Sequence, residues 1–391
     1  QAGGQAAASL RQEKYEGPIT MIGQEPYIPY QRPPLSKQYL SGEQEKEKLS
    51  LRQESFYSEK EINLMLETSV LSLDPHNKEL QLENGETVTY DKLLVATGGR
   101  PRKLEVDGHT LKGIHYLRNI DDVDAIKTQM SISQNLVIVG GGYIGLEVAS
   151  VAIKKGLTVS VLEMESRILE RVTTEEMSAF YHQLHTDEGV NILTSTQAKA
   201  FKGSETVESV VCGDHEIPAD LVIVGIGILP NTEMAEAAGL KTNNGLVVDE
   251  HCRTSNEHIF AAGDCTNHPN PILNRRLRLE SVPNAMEQGR VAASNMLGGS
   301  KSYASMPWFW SDQYEHKLQM VGFSKDSDQS IIRGDMASKS FTVFYLKDDS
   351  IIAADSVNNP KEFMASKQLV GKKASKEALA DTSIELKTLI N

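Results

Sequence analysis

The segment Gly140-x-Gly142-x-x-Gly145 has the residue types and spacing to cradle a pyrophosphate. The first glycine permits a tight turn. The second lets the backbone approach the phosphates, and the third lets the following helix pack on the preceding strand. A phosphate would then meet the free N–H groups and positive end of that helix. Tyr143 and Ile144 lie inside the loop and belong to the same candidate site. Glu163 stands roughly 20 residues beyond the first glycine, where a ribose-binding acid is expected. Its carboxylate can accept from both hydroxyls of an adenosine ribose and would repel a 2′-phosphate. Glu165 strengthens that repulsion and Arg167 weakens it; the balance predicts NADH over NADPH.

Three other runs carry chemistry. In Arg32-Pro33-Pro34-Leu35-Ser36-Lys37, two prolines fix the backbone ahead of a helix start and so aim Lys37. One reading is a surface lysine on a capped helix. The other is a cation beside a flavin ring, with Glu147 as the partner that a buried lysine needs. Gly263-Asp264 follows a strand-like run; it is either a plain turn or a place where an Asp bonds the ribityl hydroxyls of a flavin. Trp308-Phe309-Trp310-Ser311-Asp312-Gln313 holds both tryptophans, either as core packing or as aromatics beside a flavin at a docking face.

The elements that must position these residues come in two copies. The second copy is complete. A buried strand at 136–139 leads into the glycine loop, then a helix at 146–155, a strand at 157–162, a helix near 174–188, a hairpin flanking Gly213-Asp214, and a closing run at 221–227. The first copy repeats the order: a helix at 4–12, a strand at 19–22, a hairpin at Asn84-Gly85, and a closing run at 93–98. Gly3 would be the third glycine of its loop, and about ten residues, including a strand, are expected ahead of Gln1. Gln24 and Glu25 follow the second strand of this copy. Either can bond ribose hydroxyls, and a solvated surface Glu is an equal alternative.

Two such units predict an α/β chain with two Rossmann-like dinucleotide-binding domains and a C-terminal α+β domain. The expected boundaries are 1–105 with 229–306 for the first domain, 106–228 for the second, and 307–391 for the third. Strands are expected at 245–249, 258–264, 330–333, 340–346 and 350–354, and helices near 360–370 and 375–390. At 391 residues the chain is too long for a single core. Its net charge of −13 disfavours a nucleic-acid binder. No apolar run is long enough to span a bilayer and no secretory leader is recognisable, so a cytoplasmic location is expected. Cys212, Cys252 and Cys265 form no Cys-x-x-Cys pair and no zinc pattern, which argues against a disulfide reductase.

Together these residues resemble the flavoprotein ferredoxin reductases that serve bacterial cytochrome P450 and Rieske oxygenase systems. The resemblance covers essentially the whole chain. Its most specific pieces are Arg32 to Lys37, Ala96-Thr97-Gly98, the Gly140 loop, Ala262-Gly263-Asp264, Glu280-Ser281-Val282-Pro283-Asn284-Ala285 and Trp308 to Gln313. It implies FAD contacts at Arg32, Lys37, Val70, Ala96 to Gly98, Arg118, Asp264 and Val282, with Trp310 near the ring. It implies NADH contacts at the Gly140 loop, Ile144, Glu163 and Gly227, with Glu280 near the nicotinamide. Gln24 stands where the family often has an acid. The implied activity is hydride transfer from NADH to FAD, then single electrons to a [2Fe–2S] ferredoxin. Arg290, near the arginines at 275, 276 and 278, and the Trp310 region are the candidates for ferredoxin docking. The rivals are an NADH oxidase or rubredoxin reductase on the same scaffold, and an interaction protein like apoptosis-inducing factor.

Overall fold

The computed structural model describes residues 1–390. Its contacts divide the chain into two compact units. The first comprises Gln1–Arg32, Lys46–Arg100 and Ile228–Pro307; the second comprises Pro33–Glu45, Pro101–Gly227 and the chain from Trp308 onward. Within the second unit, the segment from Pro33 and the C-terminal residues each supply a hydroxyl that bonds Glu147.

In the first unit, the helix Ala2–Gln12 is buried from Ala2 to Leu10 except at Gly3. Its small residues let it lie directly against the helix Val282–Met296. A Cβ on Gly289 of that second helix would come within 2.7 Å of the Ala2 carbonyl oxygen. Two parallel strand pairs accompany them, Ile19–Ile22 with Ile62–Met65 and Leu93–Val95 with Ile259–Ala261. The hairpin expected at Asn84-Gly85 joins Glu79–Leu82 to Thr87–Thr89, and Gly85 takes φ +88° there.

The second unit is built on a parallel sheet of five strands. Their order is Asn191–Leu193, Thr158–Leu162, Asn135–Val139, Leu221–Val224 and Ile114–His115. The apolar runs at 136–139 and 221–224 are fully buried, as strands covered on both faces must be. The helix Ile120–Met130 starts with a reciprocal capping box between Asn119 and Asp122. The helix Tyr143–Lys154 begins directly at the glycine loop. The C-terminal residues form a five-stranded antiparallel sheet ordered Trp308–Gln313, His316–Gly322, Ser350–Val357, Ser340–Lys347 and Gln329–Asp335. Among the described residues, no helix is long and apolar enough to cross a membrane.

Two features differ from the expectation. The first two strands of the C-terminal sheet were not anticipated as strands. Their hairpin turns at Tyr314, at φ +56°, and carries none of the usual glycine or asparagine signals. The helix expected at 375–390 is instead Lys376–Ala380, followed by a short 3-10 turn at Leu386–Leu389. The buried Arg333 guanidinium donates to the carbonyls of Leu379, Asp381 and Ile384, and pairs with Glu362 at 2.6 Å. Those carbonyls are thus held by a cation from a distant strand at the point where Asp381 turns extended and the chain leaves the helix.

Asp355, in the central strand of this sheet, is buried, and its Oδ2 accepts from Thr173 Oγ1 and from the Tyr345 hydroxyl, each at 2.9 Å. Burial pushes its carboxyl up to about 6. An unfolded Asp titrates near 3.9. Protonated Asp355 therefore favours the folded state, and that contribution is lost as pH rises from about 4 through about 6. Asn at this position can still accept both hydrogen bonds. Asp355→Asn should be more stable than the wild type at pH 7 by on the order of 3 kcal/mol, with the difference vanishing near pH 4. Thermal unfolding of both proteins across that range checks this.

Candidate functional site

The three glycines of the loop have different surroundings. Gly140 takes φ +112°, and a Cβ there would lie 2.4 Å from the Gly225 carbonyl oxygen. A Cβ on Gly145 would lie 2.4 Å from the Gly140 carbonyl oxygen, so only glycine lets this helix sit so close to the loop. Around Gly142 there is open space: a Cβ would meet nothing within 4 Å. Gly142 is also the N-cap of the twelve-residue helix Tyr143–Lys154. The space therefore opens onto a helix end whose first N–H groups are unspent, which suits a phosphate. Gly227 likewise combines φ +110° with open space.

Glu163 is buried beside this loop. Its Oε2 accepts from the Gly141 N–H at 2.8 Å and its Oε1 from the Glu165 N–H at 3.0 Å. The carboxylate is thereby held in one orientation, with acceptor capacity left on each oxygen. Arg167, the residue that could have welcomed a 2′-phosphate, is occupied. Its guanidinium donates to the carbonyls of Thr174 and Glu170 and to Ser178 Oγ. Ile144 and Met164 are exposed apolar side chains flanking the loop and the acid. Tyr143 turns away from the loop: its hydroxyl meets Met320 Sδ at 2.8 Å and its ring stacks against Phe309 at 5.3 Å. The Tyr143 hydroxyl is thus taken up, while its backbone N–H stands at the helix start.

The second cluster centres on Glu147, one turn into the same helix and 3% exposed. Lys37 Nζ lies 2.9 Å from Glu147 Oε2. Ser36 Oγ donates to that oxygen at 2.6 Å, and Ser311 Oγ donates to Oε1 at 2.6 Å. Pro33 and Pro34 open a short 3-10 turn that brings Ser36 and Lys37 to the carboxylate together. Lys37 also donates to the Pro33 carbonyl at 3.2 Å. The half-buried Trp310 sits next to Ser311 in its strand and packs on Trp308 at 5.6 Å. Ser36 and Ser311 were not singled out from sequence, although both fall within runs that were.

In the first unit, several expected residues converge. A Cβ on Gly263 would meet Ala2 at 3.2 Å and Ala285 at 3.7 Å, so the Gly263-Asp264 turn sits at the starts of both long helices. Val282 is the first residue of one of them. Gly3, in the first turn of the other, faces Ala96 at 3.6 Å. Thr97 and Asn231 exchange two hydrogen bonds, which fixes the Ala96-Thr97-Gly98 turn. Two helix N-termini and one acid at a common turn suit a dinucleotide's phosphates and a polyol chain. Gln24 is exposed, whereas Glu25 binds the Arg32 guanidinium and the Tyr30 hydroxyl, each at 2.5 Å. Val70 opens a strand and is half-buried. Glu280 is paired with Arg278 at 2.6 Å. In the second unit, Arg118 lies just ahead of the helix Ile120–Met130, its N–H held by Asp122. All three cysteines are buried and unpaired, and burial pushes the Cys252 thiol up to about 12.

The glycine geometry separates folding from ligand binding. Gly142→Ala should leave the melting temperature unchanged and weaken NADH binding at least about tenfold, since its Cβ occupies only the open space. Gly145→Ala should instead destabilise the protein by about 1–3 kcal/mol through overpacking. Calorimetry paired with NADH titration distinguishes the two.

The sequence pattern of the family described as "Pyridine nucleotide-disulphide oxidoreductase" matches residues 1–289, and that described as "Reductase C-terminal" matches residues 308–390. Putidaredoxin reductase of Pseudomonas putida is 44% identical, over all of this chain and 94% of its own length. Rhodocoxin reductase of Rhodococcus erythropolis is 40% identical over all of this chain and 92% of its own. The crystal structure of the covalent putidaredoxin reductase–putidaredoxin complex matches with a TM-score of 0.96 at 43% identity, covering all of this chain and 95% of that one. The chain belongs to the pyridine nucleotide-disulphide oxidoreductase family, as an FAD- and NAD(H)-dependent enzyme of its ferredoxin-reductase branch.

Proposed function

We propose that this chain is an NADH-dependent flavoprotein reductase that supplies electrons, one at a time, to a [2Fe–2S] ferredoxin feeding a cytochrome P450 or a Rieske-type oxygenase. The observation that carries this reading is the similarity, over the whole of this chain, to putidaredoxin reductase, which is known in a covalent complex with putidaredoxin. Bound FAD would supply the chemistry of accepting a hydride from NADH and giving up electrons singly. The protein supplies binding, orientation and charge. The Gly140 loop and helix end receive the NADH pyrophosphate, and Glu163 bonds the adenosine ribose while repelling a 2′-phosphate. Gly3, the Ala96-Thr97-Gly98 turn, Asp264, Val70, Arg118 and Val282 hold FAD, with Gln24 or Glu25 at its adenosine end. Glu280 lies toward the nicotinamide. Lys37 sets a positive charge near the flavin, with Glu147 as its counter-ion. No thiol takes part, in keeping with three buried cysteines lacking partners.

In this reading FAD belongs to 1–105 with 229–306, NADH to 106–228, and the residues from 307 form an interface region. The exposed Arg290 and the Trp310 strand are where the ferredoxin docks. Ferredoxins of this kind are acidic, and the chain itself carries −13, so a local cation is needed at the contact. Arg276 and Arg278 are tied to Asn267 and Val248 and to Asn244 and Glu280, which leaves Arg290 as the better-placed guanidinium. A cytoplasmic location accords with three reduced cysteines and the use of NADH.

Anaerobic titration tests the reading directly. NADH should bleach the bound flavin at concentrations at least about tenfold below those needed with NADPH; a flavin left oxidised by NADH would overturn it. Arg290→Glu should slow ferredoxin reduction by about tenfold or more and leave reduction of a neutral dye unchanged, and raised salt should act in the same selective way.

A further inference from the structure

A line of buried polar side chains runs from Glu147 through the second unit, and the established chemistry does not use it. Ser311 Oγ bonds Glu147 Oε1 at 2.6 Å. Gln313 Nε2 bonds Ser311 Oγ at 3.2 Å. His185 Nε2 meets Gln313 Oε1 at 2.8 Å, and the Tyr314 hydroxyl meets His185 Nδ1 at 2.9 Å. Ser311, Gln313 and His185 are each fully buried, and Tyr314, half-buried, ends the line. Ser311 and Gln313 are two apart on one strand and so share a face, while His185 comes from the helix Glu175–Asp187.

The direction of every bond follows from one charge. Glu147 faces Lys37 as a carboxylate and can only accept. Ser311 has a single hydrogen and gives it to Glu147, so it must accept from Gln313, which turns the amide nitrogen toward the serine. The amide oxygen then faces His185 Nε2, which must carry the ring proton. Burial pushes the His185 imidazole down to about 4, so the ring is neutral and its Nδ1 accepts from Tyr314. Four donors in series thus point at one carboxylate, and aligned bonds of this kind polarise one another.

We propose that Ser311, Gln313 and His185 are positioning residues for hydride transfer: as a one-way hydrogen-bond chain they hold the Glu147 carboxylate in place, and through it Lys37. The chain rests on the reading that Lys37 works beside the flavin. It commits His185 to the tautomer with the proton on Nε2.

The test uses the full-length, FAD-loaded protein. With 15N-labelled histidine, the His185 signals, assigned by their loss in His185→Phe, should show a protonated Nε2 and an unprotonated Nδ1 at pH 7. A proton on Nδ1, or on both nitrogens, overturns the chain. In stopped-flow reduction by NADH, Ser311→Ala should lower the limiting rate about tenfold and alter the NADH dissociation constant less than threefold. Ser311→Thr, which keeps the hydroxyl, should restore the rate. A wild-type rate in Ser311→Ala, where Lys37→Met is slow, overturns the positioning role alone. A wild-type rate in Lys37→Met overturns the role of the cation, and the positioning role with it.

Discussion

A carboxylate buried as deeply as that of Glu147 is stable only with its charge compensated, and the surrounding structure is arranged around that demand. Breaking such a pair by removing one partner costs about 3–5 kcal/mol, because the other charge is left in the interior. Three distant pieces of chain answer the demand. The Pro33 turn brings Ser36 and Lys37, the glycine-loop helix carries Glu147 itself, and the C-terminal sheet brings Ser311. All three pieces belong to the second compact unit. The pair is worth little as glue, since an apolar core could replace it. Its value lies in a positively charged group kept rigid near the start of a nucleotide-binding helix.

The same economy governs the glycine loop. Where two backbones must touch, at Gly140 and Gly145, a side chain would collide with a carbonyl oxygen at 2.4 Å. Where a ligand must approach, at Gly142, the space is simply left open. Glu163 spends one lone pair of each oxygen on backbone N–H groups to stay aimed, and Arg167 is turned back into its own loop. In the proposed reading, selectivity for NADH comes from an acid held in place together with a cation held away.

The second nucleotide unit was legible in the sequence because its signals are local, and the first because it repeats the same order of elements. Glycine spacing, a buried apolar run and an acid at the next strand end all lie within thirty residues or so. The pairing of Lys37 with Glu147 was also within reach, since the prolines and the charge of the two residues suggested it. What lay beyond reach depends on contacts far apart in the chain. His185 and Gln313 are 128 residues apart, and His185 reads as an ordinary helix residue until its ring is seen against Gln313. The end of the helix near Ala380 is set by Arg333, on a strand some 46 residues earlier. The strands at 308–322 turn without glycine, so the aromatic run was read for its chemistry and its strand character passed unseen. Glu25 looked equally free to bind ribose or solvent, whereas in the fold it meets Arg32 and Tyr30.

The proposal that Lys37 holds its charge near the flavin is tested most directly by the midpoint potential of bound FAD in Lys37→Met. A nearby cation favours the more negatively charged, reduced ring. Its loss should lower the two-electron potential by about 30 mV or more, equivalent to about 1.4 kcal/mol. An unchanged or raised potential, in a variant that is folded and still binds FAD at the temperature of measurement, would contradict the account.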